Sequence, residues 1–285
     1  MAAIAYVNGR YRPLREASVN VEDRGFQFGD GIYEVLYVHN HRLADAELHL
    51  ARLTRSLGEI GLNLTLSPAA LLVIIREVLR RNRVSTGLVY MQVTRGAARR
   101  DHPFPAVPVR PSLVITARTR PAPPTDIAAW AGSAITLPDE RWARCDIKST
   151  NLLPNVLARQ KARLSGAYEA ILHDSQGYVT EGAASNVWIV DAAGTLRTRP
   201  LGQEILPGCT RAAVLEILHG AGIAFAQTPF TLEALRGARE IFLTSATSFV
   251  KPITRLDGTS IGNGHPGPAA TLLLERYLQH IGAAP

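Results

Sequence analysis

Cysteines, long apolar runs and metal-ligand spacings are all scarce in this chain of 285 residues. Its two cysteines, Cys145 and Cys209, form neither a disulfide framework nor a metal motif, and such sparse use fits a reducing cytoplasm. The longest wholly apolar stretch, residues 69–75, is too short to cross a bilayer. The first residues lack the basic and apolar segments of a secretory signal. We therefore expect a cytoplasmic protein without a membrane span or a bound metal.

Charge gives little indication of a partner. The net charge is +7, but the basic residues are spread along the chain apart from two groups, at 76–83 and 95–100. The first group is typical of a solvated helix end, where arginine also suits the helix dipole. Hydrophobic residues make up 46% of the chain, which is ordinary for a globular protein with a substantial core. The composition permits nucleic-acid binding without arguing for it, and we expect no nucleic-acid partner.

Apolar periodicity and turn residues predict an α+β (mixed α/β) fold. Strands are predicted at residues 33–38, 88–94, 112–117, 127–135, 169–173, 187–190 and 240–245, with a hairpin over 5–11 that turns at Asn8-Gly9. Helices are predicted at 47–61, 67–82, 151–165, 210–220, 231–235 and 268–281. The proline cluster at 120–125 is the best linker. It would separate a small N-terminal domain, 1–119, from a larger C-terminal domain, 126–285.

Lys148 and Glu181 are the most informative residues. Lys148 lies in CDIKSTN, between an apolar residue and small polar ones, ahead of a predicted helix. Glu181 follows in TEGAASN, set among small residues. An amine and a carboxylate in such settings suit a pyridoxal phosphate (PLP) enzyme, in which the amine forms a Schiff base and the carboxylate keeps the pyridine nitrogen protonated. Taken alone, either residue is equally an ordinary charged side chain.

Three further segments have the chemistry of an anion site. LPGCTR, at 206–211, stands directly before a predicted helix, whose first amides and the Thr210 hydroxyl suit a phosphate. The hydroxyl-rich loop TSATS, at 244–248, follows a predicted strand. Arg52, in HLARL, offers a planar fork that matches phosphate geometry. Each segment by itself is also consistent with a plain helix cap, loop or helix face.

A carboxylate site is indicated by two more segments. Tyr33 follows the glycine-rich RGFQFGDGI at the start of a strand, where a phenol can point into a cleft. Arg100 and His102 lie in the basic loop after the strand at 88–94, and together they can hold a carboxylate. The alternatives are a buried tyrosine and a flexible charged loop.

Together these segments resemble the fold-type-IV PLP enzymes, the class IV aminotransferases, and among them the D-amino acid aminotransferases. The motifs RGFQFGDGIYEV, HLARL, CDIKSTNLL, EAILH, VTEGAASNV and LPGCTR stand in the family's order, and the likeness runs from Asn8 to Pro252. The resemblance implies a small N-terminal α/β domain and a larger C-terminal domain with a barrel-like core.

The resemblance also implies a role for each site residue. Lys148 matches the Schiff-base lysine, Glu181 the pyridine-nitrogen carboxylate, and Arg52 the phosphate arginine. The other implied PLP contacts are Leu206 behind the ring, Cys209 and Thr210 at the phosphate, and Ala246 or Thr247, since relatives often carry threonine at the Ala246 position. Tyr33, Arg100 and His102 match a trap for the substrate carboxylate. Arg100 and His102 would enter from the neighbouring subunit, which implies a homodimer with shared active sites.

The predicted function is transamination between D-amino acids, such as D-alanine or D-glutamate, and 2-oxo acids, such as pyruvate or 2-oxoglutarate. Two alternatives on the same fold stay open, an L-branched-chain aminotransferase and an aminodeoxychorismate lyase. An (R)-amine transaminase is disfavoured because simple amines offer no carboxylate to the trap. A basic nucleic-acid-binding protein without catalysis is the non-enzyme alternative, and the presence of Lys148 and Glu181 argues against it.

Overall fold

The computed structural model describes residues 3–283, and its contacts divide the chain into two compact units. The first unit contains the described residues up to Ala122 together with the segment Ile147–Asn151. The second contains Pro123–Asp146 and the residues from Leu152 onward. The predicted domains, 1–119 and 126–285, remain a prediction. By its contacts, Ile147–Asn151 belongs to the first unit, because it pairs with the strand that begins at Gly31.

The first unit consists of an antiparallel sheet with helices. Its elements are β1 (Ile4–Val7), β2 (Arg10–Pro13), α1 (Arg24–Phe28), β3 (Gly31–His39), β4 (Arg42–Leu43), α2 (Ala46–Glu59), α3 (Pro68–Asn82), β5 (Gly87–Thr94) and β6 (Ser112–Thr119), with a 3₁₀ turn at Leu14–Glu16. The strand order is β2-β1-β6-β5-β3-β4. Strand β3 pairs with β5 from Gly31, opposite Thr94, to Val38, opposite Gly87, so the residues at its start have a fixed register.

Local sequence explains the main elements of this unit. The β1–β2 hairpin turns at Asn8 and Gly9, whose φ angles of 48° and 92° suit these two residue types. Helix α3 begins where Ser67 accepts a hydrogen bond from Ala70 N at 3.2 Å, with proline in the first turn. Leucines of α2 and α3 pack on the sheet in one apolar core, which includes Leu53 and Ile75. The predicted hairpin and both predicted helices are confirmed.

The second unit is a larger mixed sheet with helices. Its elements are α4 (Ile127–Trp130), β7 (Gly132–Pro138), α5 (Leu153–Leu164), β8 (Glu169–His173), β9 (Val179–Gly182), β10 (Asn186–Val190), β11 (Leu196–Thr198), α6 (Cys209–Gly220), β12 (Phe225–Gln227), α7 (Leu232–Arg236), β13 (Glu240–Ser245), β14 (Phe249–Leu256), β15 (Thr259–Ser260) and α8 (Pro268–His280). The strand order is β12-β11-β10-β13-β14-β7-β8-β9, with β15 on β14. The sheet curls, so that the end of β9 lies beside the start of β10. The predicted mixed α/β class is confirmed.

One predicted strand is partly wrong. Residues 127–135 were expected to form a single strand, but Ile127–Trp130 is a helical turn and β7 begins only at Gly132. The cause is Asp126, whose carboxylate accepts hydrogen bonds from Ala128 N and Ala129 N and thereby starts a turn in an apolar sequence. Within residues 3–283, no helix combines the length and apolar character needed to cross a membrane.

Candidate active site

Lys148 lies beside the start of β3 in the first unit. Its backbone carbonyl accepts a hydrogen bond from Tyr33 N at 3.0 Å, and Thr150 N donates to Gly31 O at 2.9 Å. This short antiparallel pairing places Lys148 Nζ 4.2 Å from the centre of the Tyr33 ring. The structure thus brings together a lysine and a tyrosine that were predicted from separate motifs.

A buried ion pair fixes Arg52 in the same unit. Glu34, on β3, is fully buried and accepts two hydrogen bonds from Arg52, both at 2.8 Å. His49 Nδ1 lies 2.6 Å from the same carboxylate. Burial acts to raise the pKa of Glu34, but the charge of Arg52 and the hydrogen bonds of both partners lower this pKa to about 2. Glu34 is therefore ionised and holds the plane of the Arg52 guanidinium in one orientation.

Glu181 lies at the centre of a buried polar cluster in the second unit. Its carboxylate forms an ion pair with Arg141 and accepts hydrogen bonds from Asn186 Nδ2 at 2.9 Å and Leu206 N at 3.1 Å. Burial raises the pKa of Glu181 to about 7, against the lowering effect of Arg141. Arg141 in turn contacts Asp139 at 2.7 Å, and its own pKa is raised because these acids favour its charge more than burial opposes it. Because burial disfavours the ionised form of this carboxylate, a further cationic N–H nearby would stabilise that form.

The first turn of α6 has the features of a phosphate site. The helix begins at Cys209 after Gly208, so its first amides point out of the helix end, where an anion can bind. Cys209 and Thr210 are buried at this end, and the Thr210 hydroxyl lies 3.4 Å from the Tyr277 hydroxyl. A Cβ on Gly208 would come within 2.0 Å of Asn186 Oδ1. Only glycine fits here, so the start of the helix lies directly against Asn186, which donates a hydrogen bond to Glu181.

The loop between β13 and β14 is the second hydroxyl-bearing segment that was predicted to contact a phosphate. Ser245 Oγ lies 2.6 Å from Ser248 Oγ and accepts a hydrogen bond from Ser248 N at 3.1 Å. The Thr247 hydroxyl lies 3.3 Å from the same Ser245 Oγ, and Ala246 and Thr247 form the tip, where Thr247 is exposed. The roles of Ala246 and Thr247 in phosphate binding remain a prediction.

Arg100 and His102 flank a single aromatic ring in the first unit. The Arg100 guanidinium carbon lies 5.0 Å from the centre of the Phe28 ring, and the His102 ring centre lies 5.6 Å from it. Both side chains are exposed. Among residues 3–283, no hydrogen bond joins Tyr33 to Arg100 or His102 within the chain. The two members of the predicted trap that were expected to act on a neighbouring subunit are thus adjacent and accessible.

Sequence reasoning missed the residues that support the site. Arg141 pairs with Glu181 across 40 positions, and Glu34 pairs with Arg52 across 18. Partners so far apart along the chain leave no periodic pattern in the sequence. A usable signal existed for Glu34, because a lone charge within the apolar strand sequence IYEVLYV must be paired if it is buried.

Comparison with known proteins defines the class. The family model for amino-transferase class IV matches residues 31–256, and the chain belongs to this family. The D-alanine aminotransferase of Staphylococcus haemolyticus is 39% identical over 276 residues, covering 97% of each chain. The D-alanine aminotransferase of Bacillus licheniformis is 43% identical over 262 residues, covering 92% of this chain and 91% of the relative.

A solved structure agrees with the family. The T.th. branched-chain amino acid aminotransferase with pyridoxamine 5'-phosphate matches with a TM-score of 0.89 and 26% identity, covering 100% of this chain and 96% of the other. The predictions of an aminotransferase and of PLP as its cofactor are confirmed. The residues present fit PLP, since the chain offers a buried carboxylate for a ring N–H, a helix N-terminus with a hydroxyl for the phosphate, and a primary amine for the aldehyde.

Proposed function

We propose that this chain transfers amino groups between D-amino acids and 2-oxo acids, with PLP attached to Lys148. D-alanine and D-glutamate are the expected donors, and pyruvate and 2-oxoglutarate the expected acceptors. The observation that carries the proposal is the pairing of the Lys148 segment with the start of β3, which sets the amine against Tyr33. Relatives named D-alanine aminotransferase, at 39% and 43% identity, support the D-amino acid substrates.

Lys148 is the proton carrier in this proposal. When bound, PLP supplies an aldehyde that the amine engages and a ring that withdraws electrons from the substrate. Lys148 Nζ would hold PLP at rest, and its amine, when free, would take the proton from the substrate α carbon as a general base and give it up again as a general acid. The carbonyl of Lys148 accepts a hydrogen bond from Tyr33 N of β3, and its amide donates to Ser56 Oγ of α2 at 3.4 Å, so the backbone that carries the amine is fixed on both sides.

Glu181 keeps the ring nitrogen of the cofactor protonated. The carboxylate is buried, and Arg141, Asn186 and the Leu206 amide fix its orientation. Burial raises its pKa to about 7, so a neighbouring pyridinium N–H would favour the ionised form. Leu206, whose amide makes that contact, is expected behind the ring.

The phosphate of the cofactor is assigned to four groups of contacts. Arg52 supplies a guanidinium whose plane Glu34 fixes. The amides of Cys209 and Thr210 open α6, and Thr210 adds its hydroxyl. The loop tip with Ala246 and Thr247 supplies the last contact. A dianion bound there gains both from the helix dipole and from charge-assisted hydrogen bonds.

The substrate carboxylate is assigned to Tyr33, Arg100 and His102. Arg100 and His102 would come from a second copy of the chain, so the enzyme would be a homodimer with shared active sites. The exposure of both side chains beside Phe28 supports this arrangement. Helix α5 offers a surface for a second copy, because Leu153, Val156, Leu157 and Leu164 lie on one face and are exposed. A cytoplasmic location is part of the same proposal.

The direction of the carboxylate decides the stereochemistry. The α proton must point towards Lys148 for removal, so the side of the ring that receives the carboxylate selects the enantiomer. A carboxylate held by Arg100 and His102 presents the proton of the D-enantiomer. The opposite placement would serve L-amino acids, as in the alternative of an L-branched-chain aminotransferase.

A paired assay tests the substrate assignment. Purified protein with PLP is given D-alanine or L-alanine together with 2-oxoglutarate, and pyruvate formation is followed along with the visible spectrum. We expect a yellow protein that produces pyruvate from D-alanine at least tenfold faster than from L-alanine. With L-leucine or L-valine in place of alanine and glutamate formation followed instead, a rate above that with D-alanine would establish the branched-chain alternative. Pyruvate formation from aminodeoxychorismate without any 2-oxo acid would establish the lyase.

Complementation tests whether active sites are shared. The assay uses D-alanine well below the parent KM, where Lys148→Ala is expected to be inactive and Arg100→Ala, whose KM is raised, is expected to lose most of its activity. If the trap acts across subunits, mixed dimers regain one complete site, and equal mixing after dissociation restores about a quarter of the parent activity. If each chain completes its own site, the mixture stays as inactive as the separate variants.

A further inference from the structure

The loop that carries Arg100 and His102 is held by a buried arginine of α1. Arg24 is only 3% exposed. Its Nη1 donates to Asp101 O at 2.6 Å, and its Nη2 donates to His102 O at 3.1 Å. The guanidinium thus binds two successive carbonyls directly after Arg100. Its carbon lies 4.7 Å from the centre of the Phe28 ring.

Asp30 links this arginine to a second one. Its carboxylate accepts from Arg24 Nε at 2.8 Å and from Arg95 Nε at 2.7 Å, through the same oxygen. The acid lies between the two guanidinium groups and offsets their charge where water has little access. Removing the acid would leave two partly buried cations side by side, so each arginine depends on Asp30 for its orientation.

Arg95 holds the far end of the loop and the end of α2. Its guanidinium carbon lies 3.5 Å from the centre of the Phe104 ring. Its Nη2 also donates to Ile60 O at 2.7 Å, just beyond the last residue of α2. The loop is therefore fixed on both sides of His102, by Arg24 at residues 101–102 and by Arg95 at residue 104.

We infer that Arg24, Asp30 and Arg95, which we call the loop clamp, are positioning residues that select substrates through their carboxylate. The inference rests on the proposed function, in which Arg100 and His102 bind that group. An arginine fork and an imidazole bind a carboxylate well only when both are already aimed at it. Exposed side chains on an untethered loop would have to be ordered each time a substrate bound. The clamp removes that requirement and never touches the substrate.

The test is Arg24→Lys, measured with D-alanine and 2-oxoglutarate on the PLP-loaded enzyme. Lysine keeps a positive charge for Asp30 but lacks the fork that reaches two carbonyls. We expect KM for D-alanine to rise about tenfold, or about 1.4 kcal/mol, with kcat within threefold of the parent. The visible absorbance and the thermal midpoint should stay at parent values. A general loss of structure would instead lower kcat and cofactor content.

Two further variants make the outcome decisive. Arg197→Lys is the matched control: Arg197 likewise donates to a loop carbonyl, that of Pro229, and pairs with Asp191, but it lies on β11, which carries none of the assigned site residues. Its kinetics should equal those of the parent. Phe104→Ala removes the Arg95 contact from an exposed position and should raise KM about threefold without endangering folding.

Each result has one meaning for the clamp. An unchanged KM in Arg24→Lys, or a fall in kcat and cofactor content alone, overturns the inference. If Arg24→Lys does not yield folded protein, the KM of Phe104→Ala for D-alanine becomes the test. A KM equal to that of the parent in this variant overturns the inference. A parent enzyme that does not use D-alanine refutes the proposed function instead, and this is seen before any variant is measured.

Discussion

Replacing Glu34 by glutamine removes the carboxylate that holds Arg52 and His49 inside the first unit. The three side chains are nearly inaccessible, and the pKa of Glu34 is lowered from 4.5 to about 2. That difference of about 2.5 pH units corresponds to roughly 3 kcal/mol of stabilisation at pH 7. Glutamine also leaves the Arg52 charge buried without its partner. The free energy of unfolding should therefore fall by about 3–5 kcal/mol.

The pH dependence of this loss has a definite sign. A carboxyl whose pKa is lowered in the folded protein stabilises it above the unfolded pKa and loses that effect as the pH falls towards the folded pKa. Because Glu34 also raises the pKa of His49, the two proteins are compared at pH 7 and at pH values below about 4.5, and the difference between parent and Glu34→Gln should shrink in the lower range. Urea unfolding followed by circular dichroism across this range measures it.

Glu77 provides the matched control for burial. It also has a pKa of about 2, caused mainly by hydrogen bonds from Arg80 and Arg81, but it lies on the exposed face of α3. Solvent and salt screen such pairs, so Glu77→Gln should leave the unfolding free energy unchanged within error. Equal losses in the two variants, or no loss in Glu34→Gln, would refute the argument that burial makes the Glu34 pair strong.

Three other predictions address the site and the core. Glu181→Gln should retain PLP but slow α-proton removal in single turnovers with D-alanine by tenfold or more, and an unchanged rate would show that the carboxylate does not tune the ring. Arg100→Ala should weaken D-alanine binding by about 1 kcal/mol or more, seen as a higher KM, while Arg99→Ala, the exposed neighbour, should not. Lys251 is buried against Trp130, and burial lowers its pKa from 10.5 to about 8. Between pH 8 and pH 10.5, Lys251 is therefore protonated in the unfolded chain but neutral in the folded protein. The free energy of unfolding of the parent should rise by up to about 3 kcal/mol as the pH increases through this range. Lys251→Met should lack this gain in denaturant titrations, and parallel profiles for the two proteins would count against it.

Short-range signals predicted much of the fold. Asn8-Gly9 specified the hairpin, and Ser67 with Pro68 specified the start of α3, because capping and turn chemistry act within a few residues. Apolar patterning failed for residues 127–130, where Asp126 caps a helical turn in a sequence that was predicted to form a strand. Strand β9 was not predicted, since four buried residues carry no clear period, yet it holds Glu181.

The site was predictable where motifs mark it and not where distant residues complete it. Lys148 and Glu181 could be found because each stands in a distinctive run of neighbours. Arg141, Asp30 and Arg24 could not, because their partners lie far along the chain and only the folded backbone brings them together. Which charged residues form such ion pairs depends on how the strands and helices are arranged in the fold. The spacing of charges along the sequence does not reveal that arrangement.

Borohydride reduction of the PLP-loaded protein, followed by peptide mapping with mass spectrometry, tests the central claim most directly. The chain contains only three lysines, Lys148, Lys161 and Lys251, so the site of labelling is unambiguous. The account predicts one stable pyridoxyl label per chain, on Lys148, and loss of the yellow colour on reduction. A label on Lys161 or Lys251, or a protein that takes up no PLP, would contradict it.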